Sequence, residues 1–238
     1  MKTMLPLLLL LSASLATRAQ SVGIGTAAPA ASAALEVSST SKGLLLPRLT
    51  DAQMRAIASP QFGLLVYNTT DYRFYGYKAI GIAAQNAANA TTPGIGDPGS
   101  GTGQSFTSTL TTNLGTITVY LGRSIGGTGT MSLTMFSGAG IGGTNLGTNL
   151  GTISRSVTMT SSPSAITFDF NALNIPLTSG QVYTFSLTSA SFPGTLSVAI
   201  TNYDSYGGGQ YYFGNSGFSF YDSQFQVTAA SGEWAPLN

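Results

Sequence analysis

The stretch Gly180-Gln181-Val182-Tyr183-Thr184-Phe185-Ser186-Leu187-Thr188 decides the fold class. Tyr183, Phe185 and Leu187 alternate with Thr184, Ser186 and Thr188. A period of two is what a strand shows when one face packs into a core and the other meets solvent. The rhythm recurs in both directions. Ile117, Val119 and Leu121 follow it, as do Met131, Leu133 and Met135, then Ile166, Phe168 and Phe170, then Leu196, Val198 and Ile200. Turn signals separate nine strand candidates, at 104–109, 115–121, 130–136, 154–160, 165–170, 182–188, 195–201, 210–214 and 219–228. Alternation of this kind favours antiparallel sheets, because parallel strands are apolar on both faces and need helical crossovers. The expectation is a mainly β chain whose residues 103–230 form an antiparallel, jelly-roll-like β-sandwich.

Composition agrees. Only 7% of the 238 residues are charged, against about 25% in an average soluble domain, and 30 are glycine. Glycine with dense Thr and Ser favours turns and short strands, with hydroxyls over the surface. There is no cysteine and no histidine, which excludes disulfides, zinc–thiolate sites and every serine–histidine triad.

Residues 1–19 read as a secretory signal, with Lys2, an apolar run from Leu5 to Leu15, and Thr17-Arg18-Ala19 before the cut. The product is expected to be secreted or extracellular, either released or held at the bacterial cell surface by protein contacts. That apolar run is too short to span a bilayer, and no later run is long enough. Removing Lys2 and Arg18 from nine basic residues leaves seven against eight acidic ones, a net charge of −1. No basic patch is present to release counterions from a nucleic acid, so that partner is excluded.

Residues 20–78 have a different character. Ala34-Leu35-Glu36-Val37 and Lys42-Gly43-Leu44-Leu45-Leu46-Pro47-Arg48-Leu49 read as extended segments. Thr50-Asp51-Ala52-Gln53 has the spacing of a capping box, and Met54, Ile57 and Ala58 make one face of a short helix apolar. Gly63-Leu64-Leu65-Val66-Tyr67-Asn68 and residues 72–77 then read as a hairpin. These blocks, with Gly23-Ile24-Gly25-Thr26 before them and Thr69-Thr70 after, resemble a module of bacterial secreted surface proteins and phage tail-fibre-like proteins. Met54 departs from the pattern, where Arg is usual. The resemblance implies a fibre or stalk segment that presents a variable C-terminal part as a homotrimer, and it carries no catalytic residues. Residues 79–102, rich in Ala, Asn, Gly and Pro, read as a flexible linker, and residues 231–238 as a tail.

Little in the C-terminal half speaks of chemistry. Gly138-Ala139-Gly140-Ile141-Gly142-Gly143 lacks the Lys-Ser/Thr and helix of a phosphate loop, so it reads as a turn, followed by a small duplication over 144–151. Asp169, Asp204, Asp222 and Glu233 are the acids a glycosidase would need, but no spacing singles out a pair. No metal site or cofactor is expected, since an EF-type loop is missing and Asn202, Asp204 and Asp222 offer only scattered oxygens. The blocks Gln104-Ser105-Phe106-Thr107, Leu114-Gly115-Thr116-Ile117, Gly138-Ala139-Gly140 and Gly180-Gln181-Val182-Tyr183-Thr184-Phe185 are similar to a jelly-roll, carbohydrate-binding-like extracellular module.

One cluster suits a sugar: Asn202, Tyr203, Asp204, Tyr206, Tyr211 and Tyr212. Ring faces stack on a pyranose, while amides and carboxylates meet its hydroxyls. The bland alternative puts Tyr211 and Phe213 in the core and Tyr212 on the rim, around a glycine hairpin. The sequence thus leads first to a non-enzymatic surface protein whose head mediates adhesion or matrix contact. A module binding a glycan or surface polymer comes second, and a carboxylate-dependent glycosidase third.

Overall fold

The computed structural model describes residues 21–86, 88, 90–95, 101–123, 126–140, 147–189, 196–214 and 216–237. The secretory signal expected at 1–19 lies outside them, as do residues 141–146 of the glycine run read at 138–143 and the duplication read at 144–151. The described chain is mainly β, with antiparallel sheets, none closed into a barrel.

The N-terminal unit opens with a parallel pair, β1 (Val22–Ile24) and β2 (Leu35–Val37). β3 (Arg48–Leu49) leads into α1 (Asp51–Arg55), whose capping box forms as its spacing predicts. The Gln53 amide N–H donates to Thr50 Oγ1 at 3.3 Å, and the Thr50 N–H donates to Gln53 Oε1 at 2.9 Å. Only Met54 of this five-residue helix is buried; the cap, the Asp51 N–H donating to Thr70 Oγ1 at 3.0 Å and the Arg55–Asp51 pair hold the rest. β4 (Leu65–Asn68) and β5 (Arg73–Gln85) make the expected hairpin, but β5 does not stop where a linker was expected.

That is the first correction. Residues 79–85 belong to β5 and pair with the C-terminal strand, and 90–95 form β6 (Ala90–Ile95). Small residues looked like linker composition, yet Ile82, Ala83 and Gln85 are buried, Ile82 and Ala83 within the core cluster. The second correction concerns the tail. β18 (Phe225–Pro236) begins in the sandwich and ends in the N-terminal unit, with Gly232 opposite Ala79, Trp234 opposite Tyr77 and Pro236 opposite Tyr75. The C-terminal residues therefore close the sheet that the N-terminal residues open. The sandwich sits between two antiparallel strands of that sheet, as a large insertion in a hairpin would. Gly232 is required at the crossing, since an added Cβ would lie 2.5 Å from Lys78 O and 2.6 Å from the rings of Phe62 and Tyr77.

The intervening strands are β7 (Thr102–Thr107), β8 (Thr112–Arg123), β9 (Gly127–Ser137), β10 (Asn149–Met159), β11 (Ser164–Asp169), β12 (Pro176–Leu177), β13 (Val182–Ser189), β14 (Leu196–Thr201), β15 (Tyr211–Phe213), β16 (Ser216–Phe218) and β17 (Asp222–Ser223). One sheet runs β10-β9-β13-β7-β15-β16; the other runs β17-β14-β8-β18-β5-β4-β3 and carries β11, β12 and β6 at its sides. Their inner faces meet in a core where Phe106, Phe168, Phe170, Phe185 and Phe225 are fully buried. Phe185 from one sheet meets Phe225 from the other edge to face at 5.6 Å. Each such ring contributes about 1.5–3 kcal/mol on burial. The strand expected over 219–228 is broken into β17 and β18, with a turn ahead of it.

The outward set behaves as the alternation predicts. On β9 and β10 the hydroxyls pair across the ladder: Thr128 with Thr158 at 2.7 Å, Ser132 with Ser154 at 2.7 Å, and Thr134 with Thr152 at 2.8 Å. Such pairs let an outer face remain wet without aggregating.

Candidate functional site

The six residues singled out as a sugar site do not share a surface. Tyr211 and Tyr212 are 3% and 5% exposed, so neither ring can offer a face to a ligand. The Tyr211 hydroxyl lies 2.7 Å from Thr102 Oγ1, and the Tyr212 hydroxyl accepts from Gln210 Nε2 at 2.7 Å. Simple alternation failed in β15 because this strand is covered on both sides; Phe213, expected inside, is 40% exposed. Tyr206 is half-buried and stands edge-on to Phe225 at 5.2 Å. Asn202, Tyr203 and Asp204 are exposed on the loop before it.

What organises this loop is a group the sequence offered only as a scattered acid. Asp222 is 1% exposed. Its Oδ2 accepts from the backbone N–H groups of Ser205 at 2.9 Å and Tyr206 at 2.8 Å, and its Oδ1 accepts from Gln104 Nε2 at 3.0 Å. Gln104, fully buried on β7, spends its remaining amide hydrogen on Ser105 O and its Oε1 on the Ser223 N–H at 2.8 Å. Thr201 Oγ1 donates to Tyr203 O at 3.0 Å, and Gln85 Nε2 donates to Ser205 Oγ. The loop is thus clamped to β7, β17 and β5 at once. Gly209 seats its far end, since a Cβ there would fall 1.9 Å from Ser105 O. Both carboxylate oxygens of Asp222 thus accept from N–H donors of the protein itself.

The remaining acids are dispersed. Asp169 accepts from Asn171, and Glu233 pairs with Lys78 at 3.3 Å. Among the described residues no cluster of three acidic side chains could hold a metal ion.

The surface that the clamp supports is aromatic. Phe213, Phe218, Phe220 and Tyr221 are 40%, 38%, 73% and 37% exposed on β15, β16 and the turn leading to Asp222, and Tyr203 is 52% exposed on the clamped loop. The rings of Phe218 and Tyr221 lie 6.1 Å apart. β16 is also the edge of its sheet, with all three of its residues exposed. Sequence reasoning missed this group because it read 219–228 as one continuous strand; the run Phe218-Ser219-Phe220-Tyr221 was the available signal.

Burial raises the Tyr206 hydroxyl above the ordinary phenol value of 10.0, and the nearby Asp222 charge adds to this, against a backbone hydrogen bond at Thr107 that lowers it. A raised phenol favours the neutral form in the folded state. Its stabilisation is complete below about pH 10 and is lost as pH rises through the folded-state value. Tyr206→Phe should therefore flatten the alkaline fall in stability, read as a smaller gap between urea midpoints at pH 7 and about pH 11. An unchanged gap would show that Tyr206 does not ionise with unfolding.

The second unit has its own features. Tyr77 stacks on Phe62 at 5.8 Å and meets Trp234 edge-on at 5.2 Å, beside an open cleft that Arg55, Ile57, Pro60 and Glu233 complete. Among the described residues no helix is long and apolar enough to cross a membrane. No curated protein matches the chain. Its residues 23–91, which hold the β1–β2 pair, α1 and the β4–β5 hairpin, match the family model described as a phage tail like trimerisation region.

Proposed function

We propose that the chain is a secreted, non-enzymatic, tail-fibre-like surface protein, in which a trimerising base carries a β-sandwich head for adhesion or matrix contact. The observation that carries this reading is the path of β5 and β18. β5 lies within the stretch that matches a trimerisation model and pairs with β18 from Tyr75–Pro236 in the base to Gln85–Phe225 in the sandwich, across two register shifts. Assembly of the base would then project three heads, each joined by a two-stranded ribbon. The exposed aromatic edge around Phe218, Phe220 and Tyr203 is the adhesive surface in this reading, since exposed aromatics beside a polar rim mark contact sites.

The test is retention of the protein on arrays of glycans and surface polymers. Phe220→Ser with Tyr203→Ala should weaken retention by about tenfold or more, the cost of truncating two contact aromatics. These positions are exposed, so the head should melt as before. Equal retention of variant and wild type would remove the aromatic edge from the reading, and no retention of either would remove adhesion to such surfaces.

A further inference from the structure

We propose that Leu44, Leu45, Leu65, Tyr67, Phe74 and Leu237 form one face that is buried against the same face of other copies of this chain. The inference rests on the trimeric reading above and adds the surface that makes the trimer.

The sheet β3-β4-β5-β18 of the base has two unlike faces. On one, Val66 is 2% exposed, and Tyr77 and Trp234 pack beside Phe62, Ile57 and Pro60 next to α1. On the other the apolar side chains stay exposed. Leu65 is 42% exposed, Phe74 46% and Leu237 53%, while Leu44 and Leu45 beside them reach 64% and 80%. These side chains converge. A Cβ built on Gly76 would lie 3.3 Å from Leu237 Cδ2 and 3.4 Å from Leu65 Cδ2, and the rings of Tyr67 and Phe74 meet at 5.1 Å. Leu44, Leu45 and Leu46 wall a cavity of about 250 Å³ with Tyr67, Phe74 and Arg48, whose guanidinium is the one charge there.

An apolar patch of this kind on a soluble protein marks a contact surface. Its contrast with the head is sharp, because the outer face of β9 and β10 is covered by paired hydroxyls. The occupant follows from symmetry and from the family match. Under rotational symmetry each copy presents the same patch, and an apolar surface with one peripheral charge suits a like surface. Five of the six residues lie within the matched trimerisation region. Leu237 lies far outside it and is delivered by β18, where its N–H donates to Phe74 O at 2.9 Å. The interface is therefore composite, built from both ends of the chain.

Light scattering on residues 20–238 should give three protomer masses, and Leu45→Asp with Phe74→Asp should give one, with the head still folded by near-UV circular dichroism. Because the chain has no cysteine, Leu45→Cys supplies a single thiol without adding charge. In the native assembly it should react with maleimide at least about tenfold more slowly than Thr130→Cys on the exposed face of β9, as a buried group opens rarely. If the wild type is trimeric while the aspartate variant stays trimeric, or if Leu45→Cys reacts as fast as Thr130→Cys, this face is not the interface and the trimeric reading stands. A monomeric wild type would overturn both. Should the aspartate variant fail to fold, the thiol reactivity decides alone.

Discussion

Asp222→Ala is expected to lower the stability of the head by about 4 kcal/mol, the largest loss from any single polar substitution in it. The estimate follows from what the change leaves behind. Gln104 Nε2 and the backbone N–H groups of Ser205 and Tyr206 all point at the missing carboxylate. Gln104 is fully buried, so water cannot replace its acceptor without opening the core. Hydrogen bonds to a charged group are worth about 1.5–3 kcal/mol each, and three are lost with partial relaxation. Asp222→Asn should cost about half as much, because one oxygen survives while the new amide hydrogens face the old donors. Urea unfolding monitored by Tyr fluorescence measures both. A loss under about 1 kcal/mol for the alanine variant would mean that the loop is not clamped in solution.

The same substitution connects stability to the proposed contact surface. Tyr203 sits on the loop that Asp222 holds, and Phe220 and Tyr221 immediately precede Asp222 in the chain. Freeing the loop would release these aromatics together, so adhesion should weaken even at temperatures where the sandwich remains folded.

Strand existence was legible in the sequence wherever one face was buried. Ile117, Val119, Met131, Leu133, Phe168 and Phe185 all lie in the core, as their period of two requires. Alternation stops being informative where a strand is covered on both faces. Tyr211 and Tyr212 are consecutive and both buried, and Thr184 and Ser186, polar by pattern, are also buried, with Thr184 Oγ1 donating to Gly138 O at 2.7 Å. Nor does local pattern reveal a partner distant in sequence. Residues 79–85 read as linker because Ala and Gly carry no strand signal, and only their pairing with β18 makes them a strand. Asp222 was visible as an acid, but nothing near it in sequence announces Gln104, which lies 118 residues away. The capping box, by contrast, is a contact within four residues, and it formed as written.

Deleting residues 231–238 is expected to unfold the base and leave the head intact. If these residues were a tail, as their position suggests, the deletion would do nothing. The structure makes them the last half of β18, and the loss is extensive. The ladder from Gly232–Ala79 to Pro236–Tyr75 disappears. So do the Trp234–Tyr77 contact, the bond from the Gly232 N–H to the Tyr77 hydroxyl at 3.0 Å, and Leu237 from the bare apolar face. Trp234 is half-buried, and losing its contact together with the ladder removes several kcal/mol, on the order of what a unit of this size holds in reserve. The head keeps Phe225, Val227 and Ala229, the part of β18 that pairs with β8 and lines the core. Hydrogen exchange should therefore become fast over 48–78 and stay slow over β8, β9 and β13, and light scattering should report a monomer. Protection retained over 64–78 would show that the base folds without its C-terminal strand, and the composite sheet would then be incidental to assembly.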